Sequence, residues 1–233
     1  MQTFIEILQS LGVFVAGVAA RLGLFLAMLA VLVVPALVAA LVVRAVARRR
    51  REALGLRQVA GLQFRPDVFY APSHSWLHRR SGGALEIGLD DLARRLLPSV
   101  TAVELPRPGT AVRRGEPVAT LYGGGRALRI PAPVGGHIVG ANGAVVRDPG
   151  LVKRDGYGRG WLVAISPADE SFATLPSGEL AETWTRREAA RWTRYLEERL
   201  GFAAADGGEL VSPAPWLVGE EGWNALTEEF LGA

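Results

Sequence analysis

One side chain in this 233-residue chain can offer a neutral amine to an acyl donor, and it is Lys153. Lysine and arginine together number 26, so the other 25 basic residues are arginines, a bias that codon composition is enough to explain. Guanidinium stays protonated, with a pKa above about 12, so arginine does not replace lysine in amine chemistry. Cysteine is absent. That removes disulfides, thiolate nucleophiles and cysteine-ligated zinc or iron–sulfur sites, and it suits a reducing compartment. The histidines are His74, His78 and His137. His74 and His78 are four apart, but a metal site needs three or four convergent ligands and no third stands near them in sequence. Packing or hydrogen bonding is the expected role of His74. Ser73 and Ser75 have a histidine neighbour without a nucleophile-elbow setting, and no Walker or dinucleotide fingerprint is present. Gly123-Gly124-Gly125-Arg126 does not lead into a clear helix, so it lacks the frame of an anion site. The chain is expected to carry no catalytic residue, no metal and no cofactor.

The elements that hold these residues fall into three parts. Leu22 to Val43 is a run of 22 residues without a charge. About twenty apolar residues span a hydrocarbon core of about 30 Å, which predicts a transmembrane helix. Pro35 is tolerated in such a helix and is expected to kink it. Phe4 to Ala20 is also mostly apolar, but Arg21 and Gly23 leave too little chain for a helical hairpin. One long or bent helix is expected, its first part interfacial or packed on another membrane subunit. Arg44, Arg48, Arg49, Arg50 and Arg51 follow the run. The positive-inside rule then gives a single-pass protein of the inner (cytoplasmic) membrane, N-terminus outside and main body on the cytoplasmic side. The cluster is expected to contact anionic lipid; nucleic acid is the rival partner of an arginine run, disfavoured by the position directly after a span. Residues 44–67 read as a basic juxtamembrane linker.

From Val68 the pattern changes to short strands broken by Gly and Pro, the sign of a small β barrel or sandwich. Ala84 to Gly88, Thr101 to Leu105, Val118 to Leu121, Arg129-Ile130, His137 to Val139 and Trp161 to Ile165 read as strands. Asp90 to Leu97 reads as a short helix capped by Asp90-Asp91. Gly123-Gly124-Gly125 is hairpin-turn chemistry, and it also lets another backbone approach closely.

The order of these pieces resembles the H protein of the glycine cleavage system, a lipoyl-carrying shuttle. The resemblance rests on His74-Ser75-Trp76, where the family has His-Glu-Trp; on Ile87-Gly88-Leu89-Asp90-Asp91 with Ala93; and on Glu104-Leu105-Pro106 with Gly109, Val112 and Gly115-Glu116. It continues through Pro133-Val134-Gly135-Gly136 with Ile138-Val139 and Asn142, then Pro149, Leu151-Val152 and Tyr157-Gly158-Arg159-Gly160-Trp161. It implies a mainly β fold, a barrel-sandwich hybrid of lipoyl-domain type, here with an N-terminal transmembrane helix and a C-terminal helical extension. H proteins present a lipoylated lysine at a hairpin tip, within Glu-Ser-Val-Lys-Ala. Counted back without a gap from Pro133, that position is Gly125; a shift of one makes it Arg126. The segment Gly123, Gly124, Gly125, Arg126 is thus a degenerate lipoyl position, and Lys153 matches a different loop. The resemblance implies the carrier fold without the carrier group.

Glu179 to Leu200 reads as an amphipathic helix, with Leu180, Trp184, Ala189, Trp192, Leu196 and Leu200 on its apolar side and Gly201 as its C-cap. Beyond it, Trp223 to Leu231 reads as a second amphipathic piece. Trp216, Trp223, Leu226 and Phe230 are candidate partner-docking residues, suited to a helix-in-groove contact; folding back on the chain's own barrel is the alternative. The expected organisation is a membrane segment over 1–43, the linker over 44–67, the β domain over 68–175, a helix over 176–201 and a docking tail over 202–233. The expected function is a membrane-anchored, noncatalytic adaptor that docks protein subunits of a membrane complex, a redox assembly among the candidates. The alternative is an accessory component that docks glycine-cleavage or lipoate-handling enzymes.

Overall fold

The computed structural model describes residues 2–200 and 219–232. The chain divides after Ala53 into two units. The first is a single helix, α1 (Gln2–Ala53), which continues through Pro35. Its run Leu11–Val46 is 36 residues long and apolar enough to cross a membrane. At 1.5 Å per residue it measures about 54 Å, more than the roughly 30 Å of a hydrocarbon core. Leu22, Phe25, Met28, Leu32 and Val43 are exposed along it. The helix takes in the arginine cluster, which corrects the expected linker: residues 44–53 are helical, and folding of the second unit begins at Leu54.

The second unit opens with a hairpin that the sequence reading missed, β1 (Arg57–Val59) and β2 (Leu62–Phe64), turned at Ala60 and Gly61 in the left-handed region. Then come β3 (Phe69–Tyr70), β4 (Ser75–Arg79), β5 (Leu85–Leu89), α2 (Ala93–Leu96), β6 (Ala102–Glu104), β7 (Ala111–Val112), β8 (Pro117–Gly123), β9 (Arg126–Pro131) and β10 (Gly136–Ala141). α3 (Gly143–Arg147), α4 (Leu151–Arg154), β11 (Val163–Pro167), α5 (Gly178–Leu200) and α6 (Glu220–Leu231) complete the order. The strands form a six-stranded sheet, β3-β4-β5-β11-β10-β7, and a three-stranded sheet, β6-β8-β9, all antiparallel. The chain crosses between the sheets three times from β5 to β8. The result is a sheet-rich barrel-sandwich hybrid whose sheets do not close into a barrel.

Alternation decides which faces are buried. Leu77, Leu85, Ile87, Leu121, Ile130, Val163 and Ile165 point into one core, together with Trp192 of α5 and Leu226 and Phe230 of α6. A smaller cluster of Phe64, Tyr70, Trp76, Tyr157 and Ala181 lies with the β1–β2 hairpin. Trp76 pairs with Gly88 across β4 and β5, and a Cβ on Gly88 would enter its indole ring. The indole Nε1 donates to the Gly156 carbonyl at 3.1 Å. In α5 the apolar side includes Ala181 rather than Leu180, which is 71% exposed.

The Gly88→Ala variant, which crowds a fully buried indole, is expected to lose about 2 kcal/mol in denaturant unfolding of the full chain in detergent. Leu180→Ala is expected to stay within about 0.5 kcal/mol of the parent.

Candidate functional site

The hairpin tip is built by β8 and β9. Val118, Leu121, Leu128 and Ile130 face the core, and the strands pair from Pro117 opposite Pro131 to Gly123 opposite Arg126. Two residues, Gly124 and Gly125, make the turn, with φ of 59° and 73°. Positive φ at both centres is the type I′ signature that suits the right-handed twist of paired strands. Gly123 packs so closely on the Ser99 carbonyl that a Cβ there would overlap it. At Gly125 a Cβ would meet open space; the left-handed backbone, not crowding, disfavours a side chain there. Arg126 turns its guanidinium to 5.6 Å from the centre of the Trp223 ring.

Lys153 sits on α4. Its Nζ donates to the backbone carbonyls of Leu97 and, at 3.1 Å, Pro98. Burial, then the charges of Arg94 and Arg95, lowers its pKa. The amine therefore ties α4 to the chain leaving α2. The closing Tyr157-Gly158-Arg159-Gly160-Trp161 stretch is structural as well. The Tyr157 hydroxyl donates to the Gln63 carbonyl at 3.0 Å, and the Asn142 amide donates to the Arg159 and Trp161 carbonyls at 2.8 and 2.7 Å.

The tail residues lie in the chain's own core. Trp223, Leu226 and Phe230 are each less than 5% exposed. Of the two readings of these candidate docking residues, Trp223, Leu226 and Phe230 follow the folded-back one: they fill the space between α5 and β9, where burial removes their apolar surface from water. Arg191 fixes α6 through the Glu229 carboxylate at 2.6 Å and stands over the Phe230 ring. Trp216 and Gly201 lie outside the described residues. Arg44, Arg48 and Arg49 are exposed on α1, with Arg48 paired to Glu52; the side chains of Arg50 and Arg51 are outside the described set.

His74 has the packing and hydrogen-bonding role expected of it, within a polar junction whose Glu188 the sequence did not single out. His74 is fully buried at a left-handed φ of 55°. Its Nδ1 lies 2.7 Å from Asp90, and its Nε2 is 3.5 Å from Glu188 of α5, a charge contact rather than a formed hydrogen bond. Trp184 and Phe230 cover the ring. Asp90 also accepts the Ala93 N–H at 2.8 Å and caps α2, while Arg191 pairs with Glu188 at 3.0 Å. Burial alone would lower the imidazole pKa, but the charges and hydrogen-bonding reach of Asp90 and Glu188 raise it to about 9. Burial works to raise the pKa of Glu188, and the cations His74 and Arg191 outweigh it and hold the pKa low. Glu188 falls between Trp184 and Trp192 at four-residue steps, an acid on an otherwise apolar stripe, and that spacing is the signal that could have revealed the junction. His78 stands apart, half-buried beside Asp67 and Glu86.

The two sheets and the β8–β9 hairpin give the second unit a barrel-sandwich hybrid fold of the H-protein type. The sequence matches the glycine cleavage H-protein family over residues 68–187. It is 36% identical to the glycine cleavage system H protein of Shewanella frigidimarina and 39% to that of Shewanella loihica. Each match covers 105 residues, 45% of this chain and 81% of the relative. A glycine cleavage system H protein from Mycobacterium marinum, known as a crystal structure, is 30% identical with a TM-score of 0.42, over 45% of this chain and 87% of that one. The chain belongs to the glycine cleavage H-protein family. Glu188, α6 and α1 lie beyond the matched span.

The His74 junction sets a pH dependence. An imidazole with a pKa of about 9 in the fold and 6.5 unfolded stabilises fully below pH 6.5, and the contribution fades as pH rises through 9. Between pH 7 and 10 the full chain in detergent is expected to lose on the order of 3 kcal/mol more than its His74→Gln variant. Parallel pH curves for the two proteins would contradict a charged imidazole in this cage.

Proposed function

We propose that this chain is a membrane-anchored, noncatalytic adaptor subunit that uses an H-family domain without a lipoyl group to dock other proteins. The hairpin tip carries the reading. At the position that matches the family's lysine stands Gly125, in a left-handed turn. The neighbouring Arg126 cannot form the lipoyl amide, because guanidinium does not give up its proton. The one lysine is engaged by two backbone carbonyls elsewhere.

The anchor is α1, by its length and composition. The positive-inside rule, applied to the arginines at 44 and 48–51, supports a reading with the C-terminal end of α1 and the β domain on the cytoplasmic side of an inner membrane and the N-terminus outside. In that setting they meet anionic lipid rather than nucleic acid. The part of the apolar run beyond a bilayer's thickness favours contact with other membrane subunits, and a redox assembly is the setting we propose. The second reading, docking to glycine-cleavage or lipoate-handling enzymes, is supported by the family match over residues 68–187.

Gentle detergent extraction from native membranes, purification through a tag on the chain and mass spectrometry of the eluate separate the two. Integral membrane subunits in stoichiometric amount are expected. Glycine-cleavage or lipoate-handling enzymes in their place would overturn the adaptor reading in favour of the second.

A further inference from the structure

Among the described residues β9 is an edge strand, paired in its sheet with β8 alone. Parity along β8 fixes which of its own groups stay open. The Tyr122 carbonyl accepts the Thr101 N–H at 2.7 Å, so it points toward β6 and away from β9. Successive residues alternate in an antiparallel ladder. Thr120 therefore also faces β6, while Ala119, Leu121 and Gly123 face β9 and bond their partners Ile130, Leu128 and Arg126. Ala127 and Arg129, opposite Tyr122 and Thr120, aim their N–H and C=O groups at the open side. Both residues are exposed. Pro131 has no N–H and ends the run.

Helix α6 forms the other wall of a groove along this edge. The groove has a volume of about 460 Å³, with Ala127 and Arg129 on the strand side and Trp223, Thr227, Glu228 and Leu231 on the helix side. An open strand edge facing a helix takes an extended peptide as an added strand, with main-chain bonds for affinity and side chains for choice. The groove is lined by one cation, Arg129 on the strand side, and one anion, Glu228 on the helix side, and an added strand would pair with the residue on the strand side. Glu104, Thr120 and Arg129 form one cross-strand row. Glu104 accepts the Tyr122 hydroxyl at 2.9 Å, and Arg129 ends the row on the side of β9 that no described strand pairs. Opposite charges directly across a strand pair stabilise it, and like charges destabilise it.

We infer that the groove between β9 and α6 docks an extended segment of a partner protein as a fourth strand, with a glutamate or aspartate across from Arg129. The inference rests on the adaptor reading for the occupant being another protein.

The test uses the full chain in detergent and the blocked peptide acetyl-Thr-Val-Glu-Val-Thr-amide. Two control peptides accompany it: one with lysine in place of glutamate, and one N-methylated at the alternate amides that would join the ladder. Hydrogen exchange at the Ala127 and Arg129 amides is followed by NMR. The glutamate peptide is expected to slow both amides by about tenfold or more, and the N-methylated peptide to leave them unchanged. The Arg129→Glu variant is expected to reverse the preference toward the lysine peptide. No slowing at millimolar peptide, or equal slowing by the N-methylated form, would overturn the inference. Neither result bears on which subunits copurify, so the adaptor reading stands or falls separately.

Discussion

Two consecutive residues with positive φ govern what the β8–β9 hairpin can present. A two-residue turn that keeps its strands twisted correctly needs the left-handed region at both centres, and glycine enters it without a Cβ penalty. Another L-residue there is disfavoured by about 1–2 kcal/mol. The rest of the tip follows from this turn. Gly123 lies flush against the Ser99 carbonyl, the strands keep register to Arg126, and Arg126 comes to rest over Trp223. The turn is short and bare, and its first charged side chain points back onto the chain's own tail helix. These features support the proposed reading of the tip as a structural corner.

The tail helices complete a charge arrangement that the β domain begins. His74 and Asp90 belong to the matched span, whereas Glu188 and Phe230 come from beyond it. A buried imidazolium is tolerated only with opposite charge and hydrogen bonds around it. α5 supplies the second carboxylate, and α6 supplies an apolar lid. Arg191 then joins α5 to α6 through Glu188 and Glu229. The extension is thus integrated with the family fold through one polar junction and one apolar seam.

Much of this was legible in the sequence where the signal is local. Alternation and turn residues located β5, β6 and β8 to β11, because each of these strands buries one face, while β3, β4 and β7 went unread. That the β8–β9 hairpin holds no lysine is visible in the sequence itself. Three features were not legible, for physical reasons. Ala60 adopts a positive φ that its residue type does not announce, so the β1–β2 hairpin was hidden. Asp90, His74 and Glu188 meet only through tertiary folding across more than a hundred residues. The tail's Trp223, Leu226 and Phe230 carry the same spacing whether they face a partner or their own core; only the structure, with β9 and α5 alongside, shows which apolar surface is nearer.

The central claim is that this H-family domain carries no acyl group, and intact-mass spectrometry tests it most directly. The full chain would be isolated from its native membranes and also from cells supplied with lipoate and an active lipoate-attaching enzyme. The account predicts the mass of the unmodified polypeptide in both. A mass increase of one lipoyl group, mapped to a peptide containing Lys153, would contradict it.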